Sequence, residues 1–192
     1  YNIPVIESII ENPEATALYV FPLKGLEQDQ VKNLNELCEA VLGIKGDFAH
    51  GTKSPLRCAE VYDGDTAAYR RGKIRKVFQS GIAGETELPP CVNVIFTNPD
   101  MLHLAINPFH AKWERFFKNL KYVVVDEIHT YRGVFGSNVS HVLRRLRRIC
   151  NYWGANPQFI ACSATIANPK SLAEELIGLP FKTVTEDGAP RG

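Results

Sequence analysis

The stretch KYVVVDEIHTY, residues 121–131, joins a strand-like apolar run to two adjacent acidic residues. Its apolar run at residues 122–125 has the length and the β-branched side chains of a fully buried strand. Asp126 and Glu127 follow at the point where that strand would end. Ligands sit at the carboxyl ends of the strands in open α/β sheets, so this pair could hold a cation and polarise a water. The pair could equally begin a solvated loop, and these eleven residues alone leave both interpretations open.

The composition is typical of one intracellular domain. A chain of 192 residues with 45% hydrophobic content can bury a substantial core and suits one domain better than two. The five cysteines are scattered without a C-x-x-C pair, which argues against a disulfide framework or a zinc site and favours the reducing cytoplasm. No apolar run approaches membrane-spanning length and no signal peptide is visible, so we expect no membrane partner.

Short apolar runs alternate with amphipathic segments along the chain. The predicted strands lie at residues 15–21, 57–62, 92–97, 122–125, 158–164 and 181–186. The predicted helices lie at residues 1–12, 23–43, 66–80 with Thr66 as the N-cap, 99–105, 135–152 and 170–176. Strands that alternate with helices predict an α/β fold with a mostly parallel sheet and helices on both faces.

Four separate stretches resemble motifs of the superfamily 2 DNA and RNA helicases. VVVDEIH resembles motif II, the Walker B box in its DExH form, and CSATIANP resembles motif III. VFPLKGLEQDQ resembles motif Ia and TNPDML resembles motif Ib, and all four occur in the family's order. The segments VYDGDT and DEIHTYRGVFGSNVSHVLRRL look closest to the MrfA-like DExH group, which are DNA-repair helicases of bacteria related to RecQ-like enzymes.

The resemblance implies a RecA-like P-loop NTPase fold. It covers nearly the whole chain, so residues 1–185 are expected to form part of a first RecA-like domain and residues 186–192 a linker toward a second one. The family's motif I, the G-x-x-x-x-G-K-[ST] P-loop, does not occur in these 192 residues. We therefore expect a fold truncated at its N-terminus just after the P-loop, with ATP hydrolysis confined to the intact protein.

The resemblance also assigns catalytic roles. Asp126 would bind Mg²⁺ through water, and Glu127 would orient or deprotonate the water that attacks ATP. His129 would link the nucleotide site to motif III and to the second domain, while Ser163 and Thr165 would couple motif III to motif II. The structural alternatives are a carboxylate pair at an ordinary turn, an ordinary hydrogen-bonded histidine, and hydroxyls that cap the next helix.

Three turns at strand ends are the candidate nucleic-acid contacts. Backbone amides at helix N-termini and short polar side chains can grip phosphates without reading bases. The resemblance implies this role for the turns of motifs Ia and Ib, and a glycine in YDGDT could let a strand approach the backbone closely. The candidates are Pro22, Leu23, Lys24, Gly64, Thr97, Asn98 and Asp100. Plain turn chemistry is the alternative for each residue.

Two other clusters are better explained by structure. The arginines of HVLRRLRRIC lie opposite Leu143 and Leu146 at helical spacing, which predicts a solvated helix face. Trp113, Phe116 and Phe117 could stack on a base, but packing under the sheet is favoured.

The function that these features favour is an ATP-driven motor that moves along nucleic acid, most simply single-stranded DNA. ATP and Mg²⁺ are the expected cofactors. The main alternative is a binding module that keeps the helicase fold without ATP hydrolysis. Two others are another P-loop ATPase with a Walker B strand and a metal-dependent nuclease that uses the Asp-Glu pair.

Overall fold

Five parallel strands form a single sheet in the computed structural model, which describes residues 1–22, 24–42, 58–79 and 92–184. The strand order is β2-β3-β1-β4-β5. The strands are β1 (Thr16–Val20), β2 (Ala59–Val61), β3 (Val94–Thr97), β4 (Leu120–Val125) and β5 (Gln158–Ala161). Leu23 and the predicted linker at residues 186–192 lie outside the described residues.

Helices connect the strands, as the alternating pattern predicts. They are α1 (Asn2–Glu11), α2 (Lys24–Leu42), α3 (Ala68–Phe78), α4 (Pro99–Met101), α5 (Glu114–Lys118), α6 (Gly133–Tyr152) and α7 (Pro169–Ile177). Between α4 and α5 the chain winds through a π-helical turn (Leu102–Ile106) and a 3₁₀ helix (Asn107–Trp113). No helix in the described part of the chain has both the length and the hydropathy to cross a membrane.

Helices cover the sheet on both faces, and each face has its own core. Tyr19 and Val124 belong to the core that the sheet shares with α1 and α2. Leu18 and Val123, their neighbours in sequence, point the other way into the core shared with α3, α5, α6 and α7. Burial on both faces explains why the strands read as continuous apolar runs rather than alternating ones. Trp113, Phe116 and Phe117 are fully buried, which confirms their predicted packing role.

The strand register brings the carboxyl ends of neighbouring strands to one edge of the sheet. Val20, the last residue of β1, pairs with Thr97 on one side and with Val125 on the other. Val125 pairs in turn with Ala161 at the end of β5. The turns that follow β1, β3, β4 and β5 therefore lie side by side.

Three local predictions were wrong. Residues 181–184 form no strand, and the N–H of Phe181 instead donates to Glu174 Oε1 at 3.1 Å, which ties the chain to α7. Strand β5 ends at Ala161 rather than at residue 164. The N-cap position of α3 is Ala67 rather than Thr66, because the Thr66 hydroxyl donates to Asp63 Oδ1 at 2.6 Å.

The arginines of α6 do not all point into solvent. Arg144 and Arg148 are exposed, as predicted. Arg147 is half-buried and donates to the carbonyl oxygens of Ile177 and Gly178 at 3.2 and 2.8 Å. The last carbonyls of a helix lack intrahelical donors, so this guanidinium caps the C-terminus of α7 and fixes α7 against α6.

Helix α6 begins in very close contact with the turn that follows β4. A Cβ atom on Gly136 would lie 2.4 Å from the Tyr131 carbonyl oxygen and 2.7 Å from its carbonyl carbon. Real Cβ atoms do not approach backbone that closely, so residue 136 must be glycine for α6 to lie where it does. The position of the turn after β4 thus depends on this contact.

We predict that Gly136→Ala loosens this region. Overpacking against rigid backbone costs about 1–3 kcal/mol, and the loss should appear as faster amide hydrogen exchange across residues 122–146, measured by mass spectrometry. Gly72→Ala in α3 is the matched control, because a Cβ there meets no atom within 4 Å. The control should leave exchange unchanged or slow it slightly, since alanine favours a helix over glycine by roughly 1 kcal/mol. Equal exchange in the two variants would contradict the steric argument.

Candidate active site

Asp126 lies at the carboxyl end of β4, held by three hydrogen bonds. Its N–H donates to the Val20 carbonyl oxygen at 3.0 Å and so extends the β1–β4 ladder by one residue. Its Oδ1 accepts the N–H of Glu127 at 2.8 Å, and its Oδ2 accepts the hydroxyl of Tyr1 at 2.9 Å. The half-buried carboxylate therefore has both a fixed position and a fixed orientation at the edge of the sheet.

Glu127 adopts a left-handed backbone conformation, with φ 50° and ψ 42°. It is the one non-glycine residue with positive φ in the part of the chain that the structure describes. Such a conformation is strained for a residue with a Cβ, and strain of this kind is concentrated at functional sites. The sharp turn brings Glu127 Oε2 to 3.1 Å from Nδ1 of His129.

His129 lies between Glu127 and the segment that follows β5. Its Nδ1 is 3.1 Å from Glu127 Oε2 and 3.3 Å from the backbone nitrogen of Ala164. A protonated Nδ1 donates to the Glu127 carboxylate, whereas an unprotonated Nδ1 accepts the N–H of Ala164. One ring nitrogen cannot do both at once, so the proton on Nδ1 determines which partner His129 binds.

The segment after β5 contacts the turn after β4 through its backbone. The Cys162 carbonyl oxygen accepts the N–H of Ile128 at 2.9 Å, and the Ala164 N–H points at His129. The Ser163 hydroxyl donates to the Ala164 carbonyl oxygen at 2.8 Å, and Thr165 is exposed. The structure thus places Ser163 and Thr165 beside the site, while Cys162 and Ala164 make the contacts to it.

Two protonated side chains, those of Tyr1 and Cys162, lie near enough to the Asp126 carboxylate to interact with its charge. Burial, reinforced by the negative charge of Asp126, raises the pKa of the Cys162 thiol to about 11. Burial and the hydrogen bond to Asp126 likewise raise the pKa of the Tyr1 phenol well above its usual value. Both groups are therefore neutral near pH 7 and add no negative charge next to Asp126.

The turn after β1 leads directly into α2. Pro22 is half-buried, and Lys24 is the first residue of α2. The turn after β2 is organised by the buried Asp63, whose Oδ1 accepts the N–H groups of Asp65 and Thr66 at 3.1 and 2.6 Å. Gly64 lies at the exposed tip of that turn.

In the turn after β3, two of the three candidate side chains have internal partners. The Thr97 hydroxyl is fully buried and donates to the Tyr62 carbonyl oxygen at 2.7 Å. Asn98 is 5% exposed, and its Oδ1 accepts the N–H of Met101 at 2.9 Å as the N-cap of α4. Asp100 is exposed. The side chains of Thr97 and Asn98 therefore stabilise this turn through internal hydrogen bonds. Asp100 is the one of the three that faces solvent.

Asp126 fits Mg²⁺ as a single protein ligand. No group of three or more His, Cys, Asp or Glu residues in the described ranges could hold a metal ion by itself. Mg²⁺ is commonly bound by one or two carboxylates together with waters and phosphates. Each Asp126 oxygen accepts one hydrogen bond and keeps a lone pair, so this carboxylate can contribute to such a shared site.

Comparison with known proteins gives consistent results. Residues 1–172 match the family model of the DEAD/DEAH box helicases. The Bacillus subtilis protein YprA, named an uncharacterized ATP-dependent helicase, is 49% identical over 192 residues, and the Saccharomyces cerevisiae ATP-dependent helicase HRQ1 is 38% identical over 195 residues. A crystal structure of the DUF1998 helicase MrfA bound to DNA and AMPPNP matches with 47% identity and a TM-score of 0.82.

All three matches cover the whole of this chain but only part of each relative. The chain spans 22% of YprA, 16% of HRQ1 and 23% of the MrfA chain. The fold is that of a RecA-like helicase domain, and the similarity to the MrfA-like group inferred from the motifs is confirmed. The chain belongs to the DEAD/DEAH box helicase family.

Proposed function

We propose that this chain is part of the first RecA-like domain of an ATP-dependent DNA helicase. The observation that carries the proposal is the Asp126-Glu127 pair at the carboxyl end of β4, with Glu127 in contact with His129. The ATP-dependent helicases among its relatives and the DNA and AMPPNP bound to MrfA support it. In this proposal residues 1–185 belong to that domain, and residues 186–192 lead toward a second one.

The chemistry is the transfer of the γ-phosphoryl group of ATP to water. Phosphoryl transfer depends mainly on positioning and on neutralising charge. Glu127 would orient the attacking water and accept its proton, and Asp126 would hold Mg²⁺. Mg²⁺, when bound, supplies positive charge next to the phosphates. These 192 residues contain no G-x-x-x-x-G-K-[ST] sequence, so we assign hydrolysis to the full-length protein and not to residues 1–192 alone.

His129 is the proposed link between hydrolysis and movement. Its Nδ1 can bind either Glu127 or the Ala164 N–H, so a change in the charge around Glu127 alters the hydrogen bonding of the segment that holds Ser163 and Thr165. A change in this segment would then transmit to the second domain whether ATP or its hydrolysis products are bound. We assign coupling to His129, Ser163 and Thr165 on this basis.

Nucleic acid is the proposed partner at the turns after β1, β2 and β3. The turn after β1 lies next to the turn that bears Asp126, and the turn after β3 lies next to the turn after β1. The proposed contacts are Pro22, Leu23, Lys24, Gly64, Thr97, Asn98 and Asp100. Because the Thr97 and Asn98 side chains have internal partners, these two act by shaping the turn, and Lys24 supplies the positive charge. Single-stranded DNA is the simplest substrate consistent with these features. The proposed location is the cytoplasm.

We predict that Glu127→Gln blocks hydrolysis without blocking ATP binding. Glutamine keeps the size of the side chain but cannot take a proton, and loss of a general base lowers rates by about 10²–10⁴-fold. The test is single-turnover ATP hydrolysis by the full-length protein, with ATP affinity measured separately. Glu11→Gln, at the exposed end of α1, is the matched control and should hydrolyse ATP at the wild-type rate. Wild-type hydrolysis in the Glu127 variant would refute its role as the base.

We predict that Lys24→Ala lowers the affinity for single-stranded DNA because it removes one positive charge. Loss of one phosphate contact should lower the salt dependence of binding, the slope of log K against log salt, by about 0.7 for a single strand. Binding of labelled single strands at several salt concentrations measures this slope. Lys32→Ala is the control, since Lys32 lies on the same helix with its side chain 75% exposed and near Glu36. If the two variants lower the slope equally, the turn after β1 is not a specific contact.

A further inference from the structure

Tyr1 reaches the candidate metal ligand from a distant part of the sequence. Its hydroxyl donates to Asp126 Oδ2 at 2.9 Å across a separation of 125 residues. The ring is half-buried and packs edge-on against Tyr19, with 5.5 Å between the ring centroids. The segment is anchored directly after Tyr1, because α1 begins at Asn2 and buries Val5 in the core. The Tyr1 hydroxyl is therefore held in a defined position.

This hydrogen bond completes the orientation of the carboxylate. The Glu127 N–H holds Oδ1, and that single bond would leave the carboxylate free to swing about its Cβ–Cγ bond. The Tyr1 hydroxyl holds Oδ2 and fixes the plane of the group. Each oxygen accepts one hydrogen bond and keeps a further acceptor position, so the oriented carboxylate can still bind a cation.

Tyr19 provides an internal comparison. It packs against Tyr1, and its hydroxyl donates to Asn2 Oδ1 at 3.1 Å rather than to Asp126. The two tyrosines thus share one aromatic contact but have different hydroxyl partners. An effect specific to Asp126 should depend on the Tyr1 hydroxyl and not on the Tyr19 hydroxyl.

We propose that Tyr1 is a positioning residue for the Mg²⁺ site, acting through Asp126. This inference rests on the proposed function, in which Asp126 holds Mg²⁺. Groups that hydrogen-bond to a metal ligand orient it, and their loss typically lowers metal affinity about 10–100-fold. Tyr1 would touch neither the metal nor the nucleotide.

The test is metal binding by a Tyr1→Phe variant of the full-length protein. Phenylalanine keeps the ring and removes only the hydroxyl. Mn²⁺ serves as a paramagnetic probe for the Mg²⁺ site, and its binding in the presence of a non-hydrolysable ATP analogue is followed by electron paramagnetic resonance. We expect Mn²⁺ affinity to fall about 10-fold in Tyr1→Phe. Binding of the analogue without metal should not change, which verifies that the variant is folded.

Two further variants separate the possible outcomes. Tyr19→Phe should bind Mn²⁺ as the wild type does, and Asp126→Asn should lose more affinity than Tyr1→Phe. If Asp126→Asn weakens Mn²⁺ binding while Tyr1→Phe and Tyr19→Phe both match the wild type, the role of Tyr1 is refuted and the proposed function stands. If Asp126→Asn leaves Mn²⁺ binding unchanged, Asp126 is not the ligand, and both proposals are wrong on this point.

Discussion

The backbone hydrogen bond from Asp126 to Val20 is the contact on which the site depends. It is the last rung between β1 and β4, and it carries the buried strand one residue past its apolar run. The chain then leaves the sheet at Glu127, whose left-handed backbone turns it sharply. As a result one carboxylate is fixed in line with the strand and the next is directed toward His129. Neither position would exist without the parallel register that brings β1 and β4 to the same edge.

Placing two acids next to each other at the edge of a buried sheet has an electrostatic cost. Half-buried carboxylates lose part of their hydration and repel each other. The described contacts offset this cost, because Asp126 accepts two hydrogen bonds and Glu127 Oε2 lies 3.1 Å from Nδ1 of His129. The remaining negative charge favours a cation.

The sequence was sufficient for the architecture and for the position of Asp126 and Glu127 at the end of β4. The valines of β4, the alternation of strands and helices, and the order of the motifs predict the sheet and the residues at its edge. It was not sufficient for contacts that lack a local signature. The Ala164 N–H contact is made by backbone, and the left-handed conformation of Glu127 has no signature in the local sequence. The Tyr1 hydroxyl reaches its partner across 125 residues, a distance over which no periodicity or spacing rule operates.

The proposed coupling between ATP hydrolysis and DNA can be measured as the rate of ATP hydrolysis by the full-length protein with and without single-stranded DNA, in the wild type and in His129→Ala. We expect DNA to stimulate hydrolysis by the wild type, and we expect His129→Ala to retain basal hydrolysis but to lose the stimulation. Stimulation that survives in His129→Ala would refute the coupling role. DNA binding by the wild type without any ATP turnover would contradict the motor itself and identify a binding module with a helicase fold.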